Sequence, residues 1–240
     1  MDLITLATSA FGVSTLGAAA VSLTVFCPQS QVWAPVVRHI ADSKAVALTF
    51  DDGPTEPFTS QILDLLRDRQ TRATFFVIGQ NAARHPGLIR RIHDEGHTLG
   101  NHTMDHHHHG IMHFTGYWHG QIASTSDLIF AATGTRPLWF RPPMGFKTPF
   151  QAQVLRQLGL RVAGWNRRAF DTRPHSPRAI EQAIIPRLTP RDIIMLHDGV
   201  EPGRPGTREP TVDALPAILD ALTAQGLRSV ALPSPIEIRD

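Results

Sequence analysis

The sequence is short of cysteine and of any large excess of charge, and each shortage excludes a class of protein. Cys27 is the single cysteine among 240 residues, so a fold held together by internal disulfides is excluded. Lys and Arg number 23 against 21 Asp and Glu, and a net charge of +2 gives no concentrated basic field. The composition therefore gives no reason to expect a nucleic-acid partner. A hydrophobic content of 42% is typical of a globular domain with a buried core.

Charged residues are also absent from one long stretch, Leu3 to Phe26. Its length is close to the ~20 apolar residues that cross a bilayer, so we predict that residues 1–28 form a hydrophobic helix that anchors the protein in a membrane. The Ser and Thr residues in this stretch leave a core or interfacial helix as an alternative. A cleaved signal peptide agrees less well, because the N-terminus carries Asp2 and no Lys or Arg. The flanking charges leave the orientation open.

From residue 43 onward, short apolar runs alternate with amphipathic stretches, and no linker-like composition divides them. Short apolar runs are typical of parallel strands that are buried on both faces. Thr59 and Ser176-Pro177 are predicted to begin helices, and glycines such as Gly134 to end them. The alternation predicts one α/β domain over residues 40–240, a barrel of seven or eight βα units. The strand candidates are Val46–Phe50, Thr74–Val77, His97–Gly100, Leu138–Arg141, Leu160–Gly164, Ile193–Leu196 and Ser229–Leu232.

Two pairs of polar residues stand where predicted strands end. Asp51 and Asp52 follow the first strand, and adjacent side chains on an extended backbone point in different directions, so one can bind a cation while the other faces a substrate water. His102 and His106 follow the third strand at a spacing that lets two imidazoles share a metal, and with Asp52 they make a His₂-carboxylate set. A solvated turn and two unrelated surface histidines are the plainer interpretations, and these residues alone leave the choice open.

Five segments in a fixed order carry more information than either pair. They are Thr49–Pro54, His102–His106, Arg141–Gly145, Trp165–Thr172 and Met195–Asp198. In this order the chain resembles the polysaccharide deacetylase family, which shares the NodB-type homology domain and is of the carbohydrate esterase family 4 type, over about residues 43–235. Three positions depart from the family pattern: Met144 stands where Tyr is usual, Thr172 where Trp is common, and Met195 where Leu is typical.

The resemblance implies a distorted (β/α)7–8 barrel and a hydrolytic site that holds one divalent metal. The implied metal ligands are Asp52, His102 and His106. Zn²⁺ is the expected ion, and such a ligand set also accommodates Co²⁺, Mn²⁺ or Ni²⁺.

The resemblance also implies roles in proton transfer and substrate binding. Asp51 corresponds to the general base and His197 to the general acid, while Arg141 positions the base and Asp171 orients the acid. The backbone N–H of Met144 corresponds to a donor to the oxyanion, a role that does not depend on the side chain. The residues implied to line the substrate and oxyanion site are Pro143, Met144, Gly145, Trp165 and Thr172.

For function, the resemblance implies an enzyme that removes N-acetyl groups from amino sugars of a peptidoglycan- or chitin-like poly- or oligosaccharide. A lipid-linked amino sugar that loses an acyl or formyl group is an alternative substrate, which a membrane anchor would suit. A catalytically inactive carbohydrate-binding module is a third hypothesis, disfavoured because all seven residues with implied metal or proton-transfer roles are present. The expected location is a bacterial-type cell envelope, with the catalytic domain anchored outside the cytoplasm. The oligomeric state is left open.

Two segments near the second motif allow more than one interpretation. The run His106–His109 suggests a second metal site, or a solvated stretch in which only His106 has a role. Phe114, Tyr117 and Trp118 could replace the aromatic surface lost at Thr172, face a membrane, or lie in the local core.

Three further polar residues near predicted strand ends are candidates to support the site. They are Arg72, Asn101 and Asp198. Ordinary salt bridges or helix caps explain them equally well.

Overall fold

The computed structural model describes residues 22–173 and 176–233, which form parallel strands surrounded by helices. The strands are β1 (Val36–Val37), β2 (Ala45–Asp51), β3 (Thr74–Val77), β4 (Thr98–Asn101), β5 (Trp139–Phe140), β6 (Arg161–Ala163), β7 (Arg167–Arg168), β8 (Ile193–His197) and β9 (Arg228–Ser229). The helices are α1 (Phe58–Asp68), α2 (Gly79–Arg84), α3 (Pro86–Asp94), α4 (Thr115–Thr133), α5 (Pro149–Gln157), α6 (Pro177–Ile184) and α7 (Glu209–Ala224).

The sheet is parallel throughout and curls on itself. Its strand order is β1-β6-β5-β4-β3-β2-β8-β7, and β9 pairs with the first half of β2. An antiparallel bridge between His39 and Asp192 links the segment after β1 to the start of β8. This architecture confirms the α/β class and is consistent with a (β/α)7–8 barrel of the NodB type.

Each of the seven predicted strands corresponds to an observed one, although β9 begins one residue earlier than predicted and is two residues shorter. The two strands that were not predicted, β1 and β7, have two residues each and give no apolar run. Ser176 caps α6 as predicted, because its hydroxyl accepts the N–H of Ala179. The helix predicted to begin at Thr59 is α1, which begins one residue earlier at Phe58; Thr59 does not cap it, and its hydroxyl donates to Asp198.

Strand β2 shows how the sequence aims its functional side chain. All seven of its residues are buried. Val46, Leu48 and Phe50 belong to the large apolar cluster under the helices, whereas Ala47 belongs to a second cluster with Trp139 and Ile193. Side chains alternate along a strand, so Asp51, four residues after Ala47, points to the same face of the sheet as Ala47.

The predicted N-terminal membrane helix falls mostly outside the described residues, which begin at Ser22. Residues 22–26 are helical. In the part of the chain that the structure describes, no helix is long and apolar enough to cross a membrane.

Candidate active site

Strand register gathers the predicted site at one edge of the sheet. Asp51 at the end of β2 lies beside His197 at the end of β8, and Asn101 at the end of β4 lies beside Phe140 at the end of β5. His102 and Arg141 follow these last two strands directly. Since carboxyl ends of parallel strands share one edge, segments that are distant in sequence meet here.

The three predicted metal ligands form a buried cluster. The Asp52 Oδ1 atom lies 3.5 Å from His102 Nε2 and 3.6 Å from His106 Nε2. That oxygen is buried and has no hydrogen-bond partner within the described residues. A buried carboxylate oxygen without a donor is costly unless a cation satisfies it. A divalent metal therefore fits these residues, and the cluster is able to bind one.

The orientation of His102 suits a metal ligand. Its Nδ1 lies 2.6 Å from the carbonyl oxygen of Arg141, and because a carbonyl can only accept, Nδ1 carries the proton and Nε2 keeps its lone pair toward Asp52. Burial, helped by the nearby His106, lowers the pKa of His102 to about 3. The imidazole is thus neutral, as coordination requires.

Asp51 is held by a fully buried arginine. The Nη1 of Arg141 donates to Asp51 Oδ1 at 2.6 Å and to Thr49 Oγ1 at 2.8 Å, while Nη2 donates to the carbonyl of Gly164. The guanidinium also lies over the ring of Phe76, 4.1 Å from its centroid. These contacts fix the guanidinium, which in turn fixes the orientation of the Asp51 carboxylate.

His197 and Asp171 form a second buried pair. His197 Nδ1 donates to Asp171 Oδ1 at 2.8 Å, and the His197 backbone N–H and the Thr211 hydroxyl donate to Oδ2. Burial disfavours the charged imidazolium, but the charge and hydrogen bond of Asp171 outweigh it and raise the pKa of His197 to about 9. His197 is therefore a proton donor at neutral pH.

The predicted oxyanion turn lies beside these pairs. Residues Pro143–Gly145 form a 3₁₀ turn, in which the N–H groups of Gly145 and Phe146 are bonded within the turn and that of Met144 has no bond among the described residues. A Cβ on Gly145 would lie 2.6 Å from Pro28 and 2.8 Å from Trp165, so only glycine fits. A cavity contains Asp51 and His197, and Pro142 lines it, whereas the buried Pro143 does not.

Known proteins of one family match most of this chain. Residues 39–163 match the family model described as polysaccharide deacetylase. A peptidoglycan-N-acetylglucosamine deacetylase of Bacillus cereus is 35% identical over 189 residues, which are 79% of this chain and 67% of the relative. This chain belongs to the polysaccharide deacetylase family.

Two further relatives extend the comparison. A chitooligosaccharide deacetylase of Rhizobium leguminosarum is 33% identical over 80% of this chain and 92% of its own length. The crystal structure of a family 4 carbohydrate esterase from Streptomyces lividans in complex with acetate superposes with a TM-score of 0.70 at 34% identity, covering 79% of this chain and 93% of that one. The match to a similar peptidoglycan-N-acetylglucosamine deacetylase from Listeria monocytogenes covers 41% of the length of that relative.

The cavity of this family member, about 380 Å³ in volume, contains an aromatic residue that the sequence analysis missed. Thr172 lines the cavity as predicted, and Phe170 lines it two residues earlier. Phe114, Tyr117 and Trp118 do not line this cavity: Trp118 is buried in a local core, Tyr117 packs against that core, and Phe114 is exposed against Phe150. No apolar run surrounds Phe170 in the sequence, so no local pattern indicated that this residue lines the cavity.

Glu201 is a second residue that sequence reasoning missed. Its Oε1 lies 3.6 Å from Nδ1 of His106, and its Oε2 lies 2.9 Å from Nε2 of His108. The charges of His106 and His108, together with the hydrogen bond to His108, overcome the effect of burial and lower the pKa of Glu201 to about 2. Glu201 is therefore an anion facing the far nitrogen of a predicted metal ligand. Together with His106 and His108, Glu201 forms a second group whose potential metal-ligand atoms lie close together.

Of the three candidate supporting residues, two lie at the site. Asn101 accepts the N–H of Thr103 and donates to Ile122 and Ser126, which ties the end of β4 to α4. Asp198 is buried beneath Gly53, and burial raises its pKa to about 7. Arg72 does not support the site, because it precedes β3 and so lies at the opposite end of the strand, which leaves the plainer interpretation of this residue.

Replacing Glu201 with Gln is expected to weaken metal binding by about 10- to 100-fold, the usual effect of losing a carboxylate beside a metal-ligating histidine. Competition with a chromophoric chelator measures the Kd of Zn²⁺. Glu209→Gln, which changes an exposed residue in the first turn of α7, is the matched control. An unchanged Kd in Glu201→Gln would show that the carboxylate does not position His106.

Proposed function

We propose that this protein is a metal-dependent hydrolase that removes N-acetyl groups from amino sugars of a peptidoglycan- or chitin-like poly- or oligosaccharide. The observation that carries the proposal is the combination of an arginine-held carboxylate at Asp51 with a protonated imidazole at His197, both lining the cavity of the Asp52–His102–His106 cluster. An amide hydrolase needs a base for the water and an acid for the leaving amine, and these two groups are suited to those roles.

Each residue has a defined task in the proposed reaction. Asp51 accepts a proton as water adds to the acetyl carbon, and the N–H of Met144 donates to the oxygen that becomes negative. His197 then gives its proton to the sugar nitrogen as the C–N bond breaks, which releases acetate and a free amine. A metal held by Asp52, His102 and His106 would activate the water and polarise the amide carbonyl.

Zn²⁺ is the proposed resident ion. We expect acetate release from N-acetylated chitotetraose and from peptidoglycan, its loss after treatment with a chelator, and its return when Zn²⁺ is added. Measuring formate release from a lipid-linked formylated amino sugar in the same series tests the alternative substrate. Release of neither product from any substrate by the metal-loaded protein would contradict the proposed function.

The uncharged stretch Leu3–Phe26 supports a further part of the proposal, a cell-envelope location with the domain of residues 40–240 anchored to a membrane. Fractionation of cells that express the whole chain tests it: we expect the protein in the membrane fraction, released by detergent and retained in high salt. Recovery in the soluble fraction would contradict the anchor.

A further inference from the structure

One wall of the catalytic cavity is built from two arginines and an aromatic ring. Arg168, Phe170 and Arg173 all line the cavity that contains Asp51 and His197. The guanidinium carbon of Arg168 lies 4.0 Å from the centroid of the Phe170 ring, and that of Arg173 lies 5.4 Å from it. Stacking on a ring occupies the face of a guanidinium and leaves its N–H edge free for another partner.

Neither guanidinium is neutralised by an acidic group within the described residues. The contrast with the neighbouring arginines is direct, since Arg167 pairs with Asp192 at 2.9 Å and Arg141 with Asp51 at 2.6 Å. Partial burial and the positive charge of Arg173 lower the pKa of Arg168. Two like charges are therefore held together without a counter-ion, an arrangement that an incoming anion would stabilise.

The backbone at this wall is also held in an uncommon conformation. Phe170 has φ of 56°, in the left-handed region, and its side chain is 43% exposed. A bulky residue there is strained, and such strain clusters at binding sites. Thr172, next to this wall, has a small side chain, so the cavity stays open between the arginines and the catalytic pair.

We propose that Arg168 and Arg173 form a subsite for a negatively charged group of the substrate, a carboxylate or phosphate attached close to the N-acylated amino sugar. This inference rests on the proposed function, and it names the substrate class: an anionic glycan rather than a neutral chitin-like one. The planar N–H fork of arginine matches the oxygens of both anions. A carboxylate would come from the lactyl groups of a peptidoglycan strand, and a phosphate from a phosphorylated or lipid-linked sugar.

Binding to an inactive protein tests the subsite separately from catalysis. In the Asp51→Asn background, calorimetry gives the Kd of N-acetylchitotetraose, of a peptidoglycan tetrasaccharide with lactyl carboxylates, and of N-acetylglucosamine 1-phosphate. We expect at least one anionic ligand to bind roughly 10-fold more tightly than the neutral tetrasaccharide. Arg168→Ala and Arg173→Ala should each weaken that ligand by about 10- to 100-fold and leave the neutral one unchanged. The anion that responds identifies the source.

Arg168→Lys and Arg187→Ala are the controls. Lysine keeps the charge and should recover part of the affinity, while Arg187 is an exposed arginine in a 3₁₀ turn that does not line the cavity. Equal loss of neutral and anionic ligands in the alanine variants, or no loss at all, would overturn the subsite. Absence of product with the active protein would instead contradict the proposed function and leave these Kd values to decide the subsite.

Discussion

Asp51→Asn is expected to reduce deacetylation by about 10²- to 10⁴-fold, the usual contribution of a positioned general base. The asparagine side chain retains an oxygen that can accept from Arg141, so the site should keep its shape while it loses the group that takes the proton. The measurement is kcat with N-acetylchitotetraose, together with metal content by elemental analysis. Metal content should not change, because Asp52, His102 and His106 remain.

Asp127→Asn is the matched control for this variant, since Asp127 is exposed on α4 and forms an ion pair with Arg136. Its kcat should equal that of the unmodified protein. If Asp51→Asn keeps full activity with metal bound, then Asp51 is not the base and the proposed division of roles among the carboxylates is wrong. If it loses metal as well as activity, Asp51 is a ligand instead.

Asp171→Asn is expected to move the alkaline limit of activity downward and to lower activity at pH 8 by about 10²- to 10⁴-fold. In the unmodified protein, His197 should stay protonated up to its pKa of about 9, so activity should decline only above that pH. Without the charge of Asp171, burial opposes only the charges of Asp52 and Asp51, so the pKa of His197 should fall well below 9. The check is the pH profile of kcat/KM for both proteins.

The same substitution has a consequence for stability. Because the folded pKa of His197 is raised from 6.5 to about 9, its contribution to the free energy of unfolding is fully present below pH 6.5 and is lost as the pH rises through 9. The stability difference between the unmodified protein and Asp171→Asn should therefore shrink between pH 6 and pH 10, measured by urea unfolding. A difference that is constant over this range would show that the pair does not couple to folding.

Backbone strain at the site is a feature that no sequence pattern indicated. Within the described residues, seven non-glycine residues have φ in the left-handed region, and five of them lie in or next to the site: Asp52, Thr103, His106, Met144 and Phe170. Two of these are predicted metal ligands and one supplies the predicted oxyanion donor. Propensity rules disfavour each position individually, so the strain is maintained by the surrounding packing.

The sequence by itself determined the seven main strands and the family. Short buried strands are recognisable because their residues are continuously apolar. Five ordered motifs specify a family because each motif stands at the end of a strand or in the loop after it. The order of the motifs also predicted the metal ligands Asp52, His102 and His106, whose ligand atoms the tertiary structure brings within 4.8 Å of one another.

Only the tertiary structure decided which other groups face the cavity. Glu201, Arg168 and Phe170 lie in loops or a two-residue strand, where no periodicity constrains the direction of a side chain. Their positions follow from the register between β2 and β8 and between β7 and β8, which are contacts between segments far apart in sequence. The Asp52–His102–His106 cluster was thus predictable from local motifs, whereas the wall formed by Arg168, Phe170 and Arg173 arises from long-range packing.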